Sequence, residues 1–288
     1  MSRPSYVLKA SCTDTVGIVA AVTGFLAARD ALITEMSHFV DDEAQKSFIR
    51  VVFEDDAATS GDMEELTDRF REAVGRKFGM RFNCFPAERK MRALIAVSRQ
   101  DHCLHALLHR WYDGHLPIEI TGIVSNHADQ RSLAEWYELP YHHFPIEPGR
   151  KPQQEARVLA LFEDTGSELL VLARYMQILT AHACETLAGR AINIHHSFLP
   201  GFKGARPYYQ AYERGVKLIG ATAHYVTTDL DEGPIIEQDV VRVDHTMPPG
   251  ELEQLGQDVE CTVLNRAVRW HAEHRVFENG SRTIVLRH

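Results

Sequence analysis

Short apolar runs alternate with segments of helical spacing between residues 92 and 194, and no other feature of the sequence restricts the fold as sharply. Runs at 92–98, 119–125, 141–144, 169–173 and 191–194 have the length of strands, and most are rich in Leu, Ile and Val. Between them, Asp101 stands where it caps a helix reaching about residue 112, 133–138 reads as a short helix and 153–163 as a longer one. Strand and helix taken strictly in turn predict an α/β fold with a mainly parallel, Rossmann-like sheet and right-handed crossovers. Ligands of such sheets sit beyond the carboxyl ends of the strands.

If 191–194 is a central strand, the stretch from 192 to 239 carries the chemistry. Asn193 and His195 stand two apart, so their side chains share one face. A second strand is expected over 221–226, followed by a loop over 227–233 that holds Asp229, Asp231 and Glu232. An amide can donate to a carbonyl oxygen, an imidazole can donate to an oxyanion or carry a proton, and a carboxylate can hold an imidazolium or position a water. These groups suit acyl chemistry by direct attack on a bound carbonyl, because no G-x-S-x-G elbow offers a serine nucleophile and Ser197 sits in no triad spacing. His196 either packs locally or touches the reacting group. At the level of residue chemistry any of the three acidic residues can fill the carboxylate role.

A metal is the rival chemistry. His102, His105 and His109 fall at i, i+3 and i+7 of the first helix after residue 92. The outer two lie two turns apart, a rise of about 10 Å, too far to share an ion. No metal site is expected, and His102 is assigned instead to the mouth of the ligand cleft. Five scattered cysteines without a C-x-x-C pair indicate neither a disulfide framework nor a cysteine zinc site. With 31 Lys+Arg against 40 Asp+Glu, the net charge of −9 disfavours a nucleic-acid surface. No apolar run approaches membrane-spanning length and the first residues do not read as a signal peptide, so a cytoplasmic protein without a membrane partner is expected.

Ahead of this pattern, 6–10 alternates as a strand, and 11–14 (SCTD) offers cap residues for a helix over 16–28. Strands follow at 31–40 and 47–54, a helix over 60–77 and a last strand over 80–85. The order is that of a ferredoxin-like βαββαβ unit. The charged segment 86–91 reads as a linker, dividing the chain into 1–85 and 92–288. At the far end, 252–271 reads as a long helix, with a hairpin formed by 275–278 and 283–286.

The residues SCTDTVGIVAAVTGFLAARD, ITEMSHFVD and SFIRVVF make the first unit resemble an ACT regulatory domain. Such domains often carry Asp-Arg-Pro-Gly in the first turn and Asn before the second strand, where a small amino acid binds between subunits. Here the turn is Asp14-Thr15-Val16-Gly17, and Leu32 stands in the Asn position. The resemblance therefore implies a homo-oligomer, with an amino-acid effector at the ACT domain as the alternative role.

The combination INIHHSFLP, GATAH and LDEGPII resembles the folate-dependent formyltransferases. SNH at 125–127, LARYMQIL at 172–179 and RGVKLIGATAHYVT are similar to the family's hydrolytic branch, the formyltetrahydrofolate deformylases, across residues 5–288. Gly201-Phe202 departs from the more usual Ala-Phe pair. The likeness implies hydrolysis of 10-formyltetrahydrofolate to formate and tetrahydrofolate, with folate as substrate and no cofactor. It assigns Asn193, His195 and Asp231 as the catalytic trio, and Met176, Gln177 and Leu179 to the pterin pocket. Transfer of the formyl group to an amine and non-catalytic folate or amino-acid sensing are the competing functions.

Overall fold

The computed structural model describes residues 3–55, 63–201 and 207–287. The chain forms two compact units. The first comprises residues up to Arg89 together with 273–277 and 284 onward, and the second comprises 90–272 and 278–283.

In the first unit, β1 (Ser5–Thr13), α1 (Ile18–Ala27), β2 (Leu32–Asp41) and β3 (Lys46–Glu54) are followed by α2 (Met63–Phe70), a π-helical turn (Arg71–Gly75), α3 (Arg76–Phe78) and β4 (Arg81–Pro86). The four strands are antiparallel in the order β2-β3-β1-β4. Ile18, Val22 and Leu26 are spaced by four and bury one stripe of α1 against Leu8, Val51 and Phe53 of the sheet. The opposite sheet face is not left to solvent. Phe48 packs edge-on against Phe277, with ring centroids 5.5 Å apart, and Leu286 joins them. Beside this cluster Arg50 Nη1 and Arg275 Nη1 meet Glu35 Oε1 at 2.7 and 2.8 Å. A sheet covered on both faces explains why β3 is buried almost continuously rather than at alternate residues.

Two local expectations are corrected here. α1 has no side-chain cap: Gly17, at φ +93°, precedes it, while Asp14 accepts a hydrogen bond from Ser47 Oγ at 2.8 Å. The second helix is not uniform, because a π turn keeps both Phe70 and Val74 buried. The predicted start of that helix at Ser60 lies outside the described residues.

The second unit runs β5 (Met91–Val97), α4 (His102–Tyr112), β6 (Ile118–Ser125), α5 (Arg131–Trp136), β7 (Tyr141–His143), α6 (Lys151–Asp164), β8 (Leu169–Leu172), α7 (Ala181–Thr186) and β9 (Ala191–His195). It continues with α8 (Pro207–Glu213), β10 (Leu218–Tyr225), β11 (Ile235–Arg242) and α9 (Pro249–Ala272). A terminal hairpin, β12 (Val276–Asn279) and β13 (Arg282–Val285), follows α9, and its outer residues belong to the first unit although the sequence assigns all of 92–288 to the second.

The seven strands stand in the order β11-β10-β9-β8-β5-β6-β7. From β7 to β9 the neighbours are parallel; β10 and β11 are antiparallel additions at the β9 edge. The fold is thus α/β with a mainly parallel sheet. After β5 the chain builds outward through β6 and β7, then returns to lay β8 and β9 on the other side. The order reverses between β5 and β8, and crevices open at such points beyond the carboxyl ends of the strands. β5, β8 and β9 all deliver residues there.

Candidate active site

A cavity of about 620 Å³ opens at this reversal point, lined among others by Asn193, His195, His196, His224 and Asp231. Asn193 and His195 lie on β9, as their spacing requires, and strand pairing sets His224 and Thr222 of β10 directly opposite them. Asn193 Nδ2 is 3.2 Å from His224 Nε2, and His224 Nδ1 is 2.9 Å from the Tyr225 carbonyl oxygen. A carbonyl only accepts, so His224 carries its proton on Nδ1 and takes the Asn193 N–H at Nε2. Burial pushes the His224 imidazole below its ordinary pKa, in keeping with this neutral form.

Asp231 comes from the loop after β10. Its Oδ1 lies 3.2 Å from His195 Nδ1 and 3.8 Å from His224 Nε2. The His195 hydrogen bond holds the Asp231 carboxyl below the usual carboxylate range against the opposing effect of burial. The pairing fixes the His195 ring and leaves Nε2 buried, with no hydrogen-bond partner among the described residues. A buried polar atom left open on a cavity wall is a place for a ligand atom.

The loop geometry behind Asp231 is tight. Asp231 itself has φ +58°, a left-handed conformation in which Asp is tolerated. Tyr225 N donates to the Pro234 carbonyl at 3.0 Å, closing the loop across its base. At Gly233 an added Cβ would lie 1.7 Å from the Tyr225 oxygen, so the loop can pass there only as glycine. On the other side, the buried Thr222 hydroxyl donates to Ser197 O at 3.0 Å and accepts from Leu199 N at 3.1 Å, pinning the segment that follows His195 and His196.

His196 stacks on His195 with ring centroids 5.2 Å apart. Burial, with the positive charges of Arg174 and His195, lowers its pKa to about 4, so it is neutral at ordinary pH. Met176, Gln177 and Leu179 line the same cavity from the segment after β8. Met176 is 55% exposed and Ile178 59%, an apolar surface in a concave wall that suits a flat ring system. The segment is anchored by Met176 N to Ser98 Oγ at 3.1 Å and by Tyr175, whose hydroxyl accepts from Gln154 Nε2 at 2.8 Å. Asp229 also reaches the cavity but is exposed.

His102 is placed differently from its sequence assignment. It is not among the residues lining the cavity; its Nε2 donates to Glu260 Oε2 at 2.7 Å. The cause is Glu260, a fully buried carboxylate on α9 that must gather donors. Tyr208 donates its hydroxyl to Oε1 at 2.7 Å, and Arg174 Nε lies 3.5 Å from Oε2. Gly256, one turn earlier on α9, makes room for the Tyr208 ring, since a Cβ there would lie 2.1 Å from its oxygen. Burial raises the Glu260 carboxyl, yet the His102 bond, the Arg174 charge and the Tyr208 bond outweigh it and hold the group ionised.

His102, Cys103 and Glu260 bring ligand-type atoms within 4.8 Å of one another, but the histidine and the carboxylate are bonded directly and burial pushes the Cys103 thiol well up. The imidazole and the carboxylate are thus engaged with each other. His105 and His109 stand apart beside Asp101 and Asp113 of their own helix ends. The residue that sequence reasoning misses is His224. Its signal is the alternation Thr222-x-His224 on β10, which repeats the Asn193-x-His195 spacing on the neighbouring strand.

Residues 91–268 match the family described as formyl transferase. The chain is 52% identical to the formyltetrahydrofolate deformylase of Corynebacterium sp. (strain P-1), with 98% of each chain covered. Among solved structures, the formyltetrahydrofolate deformylase of Burkholderia mallei superposes with a TM-score of 0.92 at 50% identity, over 99% of this chain and 100% of that one. Glycinamide ribonucleotide transformylase 1 of Symbiobacterium toebii superposes with a TM-score of 0.66 at 28% identity, over 69% of this chain and 95% of that one.

Proposed function

The chain belongs to the formyltetrahydrofolate deformylases, hydrolases of 10-formyltetrahydrofolate, and from that premise we propose how its residues divide the reaction. The observation that carries the reading is the unoccupied Nε2 of His195, held toward the cavity by Asp231 at Nδ1 and flanked by the Asn193 amide. The pterin lies along Met176, Gln177, Ile178 and Leu179, and the formyl oxygen faces Asn193 Nδ2 and the Nε2–H of protonated His195. Ionised Asp231 stabilises that imidazolium through its engaged oxygen.

Asp231 also positions the attacking water with its second oxygen and takes one water proton as the new C–O bond forms. The resulting oxyanion rests on Asn193 and His195. On collapse the C–N bond breaks and N10 receives the proton from His195. The formic acid formed gives its proton to the now neutral His195 at Nε2 and is left as formate, and Asp231 releases its proton to solvent, so that both groups are restored. Atoms and charge balance as one water consumed for one formate, one proton and one tetrahydrofolate formed. His224 keeps the Asn193 amide turned outward, His196 supplies a neutral wall, and no cofactor takes part.

For the first unit we propose an ACT domain that serves self-association, giving a homo-oligomer. The support is its βαββαβ order and antiparallel β2-β3-β1-β4 sheet, with Val16 at the α1 turn 99% exposed and free to meet a second copy. An amino-acid effector is the weaker proposal, given the turn residues named above. We place the protein in the cytoplasm, as its sequence leads one to expect. No helix among the described residues is long and apolar enough to cross a membrane.

Formate release from 10-formyltetrahydrofolate by the purified protein is expected to run at the same rate with and without glycinamide ribonucleotide. At the first strand-to-helix junction, Ser98-Arg99-Gln100-Asp101 offers no glycine-rich phosphate cradle and presents an acidic residue instead. Formate that appears only on addition of an amine, with the formyl group recovered on it, would replace hydrolysis by transfer.

A further inference from the structure

The mechanism uses one of two buried, unpartnered donors in the cavity wall; the other is on Arg174. This residue is 6% exposed and lines the cavity, and its Nη1 has no hydrogen-bond partner among the described residues. The rest of the guanidinium is committed. Nε and Nη2 both donate to Gln100 Oε1, the former at 2.9 Å, and Nε faces Glu260 at 3.5 Å. Glu260 is itself shared with His102 and Tyr208, so it is not free to turn toward Nη1. Clamped along one edge, the planar group keeps its opposite end fixed, with both Nη1 protons unused.

The backbone supports a reason for this arginine. Arg174 has φ +61°, a left-handed conformation that glycine adopts freely and a long side chain adopts at a cost. Such a conformation persists where surrounding contacts over-determine it, and it gathers at sites that handle ligands. Leaving a buried guanidinium nitrogen without an acceptor adds a second cost, which an anionic oxygen removes.

We propose that Arg174 Nη1 is the receiving site for the one-carbon product, a small monocarboxylate. This rests on the hydrolytic reading and adds the place to which the product moves. Hydrolysis turns a neutral formyl group into formate beside His195. Asp231, paired with His195, repels the new anion, whereas Arg174 on the wall of the same cavity attracts it. Arg174, His195 and His196 line the same cavity, so formate need not leave it to reach the guanidinium. His196, stacked on His195 and neutral, adds no competing charge to the cavity wall. Arg174 is thus a product-binding residue that draws formate away from the reacting atoms before tetrahydrofolate leaves.

The test is product inhibition of the full-length enzyme by sodium formate, measured without any amine. Arg174→Met is expected to weaken formate inhibition about tenfold or more, and Arg174→Lys less, each read against the variant's own KM for 10-formyltetrahydrofolate. A folded Arg174→Met protein with the formate inhibition of the wild type overturns the site. Should Arg174→Met not fold, wild-type crystals soaked in formate decide: a carboxylate oxygen bonded to Nη1 supports the proposal, and formate found elsewhere with water at Nη1 overturns it. Amine-free turnover of the wild type keeps the two readings apart, since its absence sinks hydrolysis and its presence with unaltered inhibition sinks only the Arg174 site.

Discussion

Asp231→Asn is expected to lower kcat for formate release by about a hundredfold or more, with KM for the folate substrate little changed, because general acid-base groups contribute about 10² to 10⁴. The side chain keeps its shape, so the loop stays closed across Tyr225 and Pro234 and the Met176–Leu179 wall is untouched. What is lost is charge. The substituted amide can accept from His195 Nδ1 but cannot hold an imidazolium or take a proton from water. Asp229→Asn, at an exposed position of the same loop, is expected to be mild; the reverse ranking of the two variants would move the carboxylate role to Asp229.

The pH dependence has a definite sign. The folded-state pKa of Asp231 is depressed, so its pairing with His195 contributes stability that is present above the ordinary carboxylate pKa and is lost as pH falls through the lowered value. The wild-type kcat should therefore hold into the acid range until that group takes up a proton. In Asp231→Asn this acid limb should vanish, which a pH profile of kcat reads directly.

Gly233→Ala is expected to be nearly as damaging although Gly233 touches no substrate. The added Cβ would lie 1.7 Å from the Tyr225 oxygen and 3.2 Å from His224 Nδ1, so backbone must shift. That oxygen is the acceptor that sets the His224 tautomer, and His224 in turn aims the Asn193 amide. Misplacement of about 1 Å can cost about a hundredfold in rate, and overpacking itself costs about 1–3 kcal/mol. Both kcat and Tm should fall. An alanine variant with kcat close to wild type would show that the loop adapts and that the relay from Gly233 through His224 to Asn193 is not rigid.

The parts of the site that are legible in the sequence are those set by short-range geometry. Asn193 and His195 share a face because strand side chains repeat every two residues, and a site beyond the carboxyl ends of the strands follows from the alternation of strands and helices, whereas the strand order that sets the reversal between β5 and β8 does not. Contacts between residues far apart in sequence are not accessible in this way. A helical wheel gives the direction of His102 on α4 but not the identity of Glu260, 158 residues later, which captures it. β11 escapes because an edge strand reading IIEQDVVR lacks the continuous apolar signature of the buried strands. The left-handed backbone of Arg174 leaves no mark on composition or spacing, so LARYMQIL reveals a pocket wall but not the cation behind it.

The covering of the first sheet by residues from the far end of the chain bears on the order in which the protein is made. Synthesis delivers β1, β3 and the rest of that sheet first. Phe48 and Arg50 nonetheless wait for Phe277, Leu286, Glu273 and Arg275, with 223 residues separating Arg50 from Glu273, to close over them. During translation the earliest unit is thus a half-covered sheet while the entire second unit emerges behind it. Premature termination after α9 would spare every residue of the catalytic cavity and still leave the amino-terminal unit unfinished, so a lesion at one end of the gene would be felt as misfolding encoded by the other.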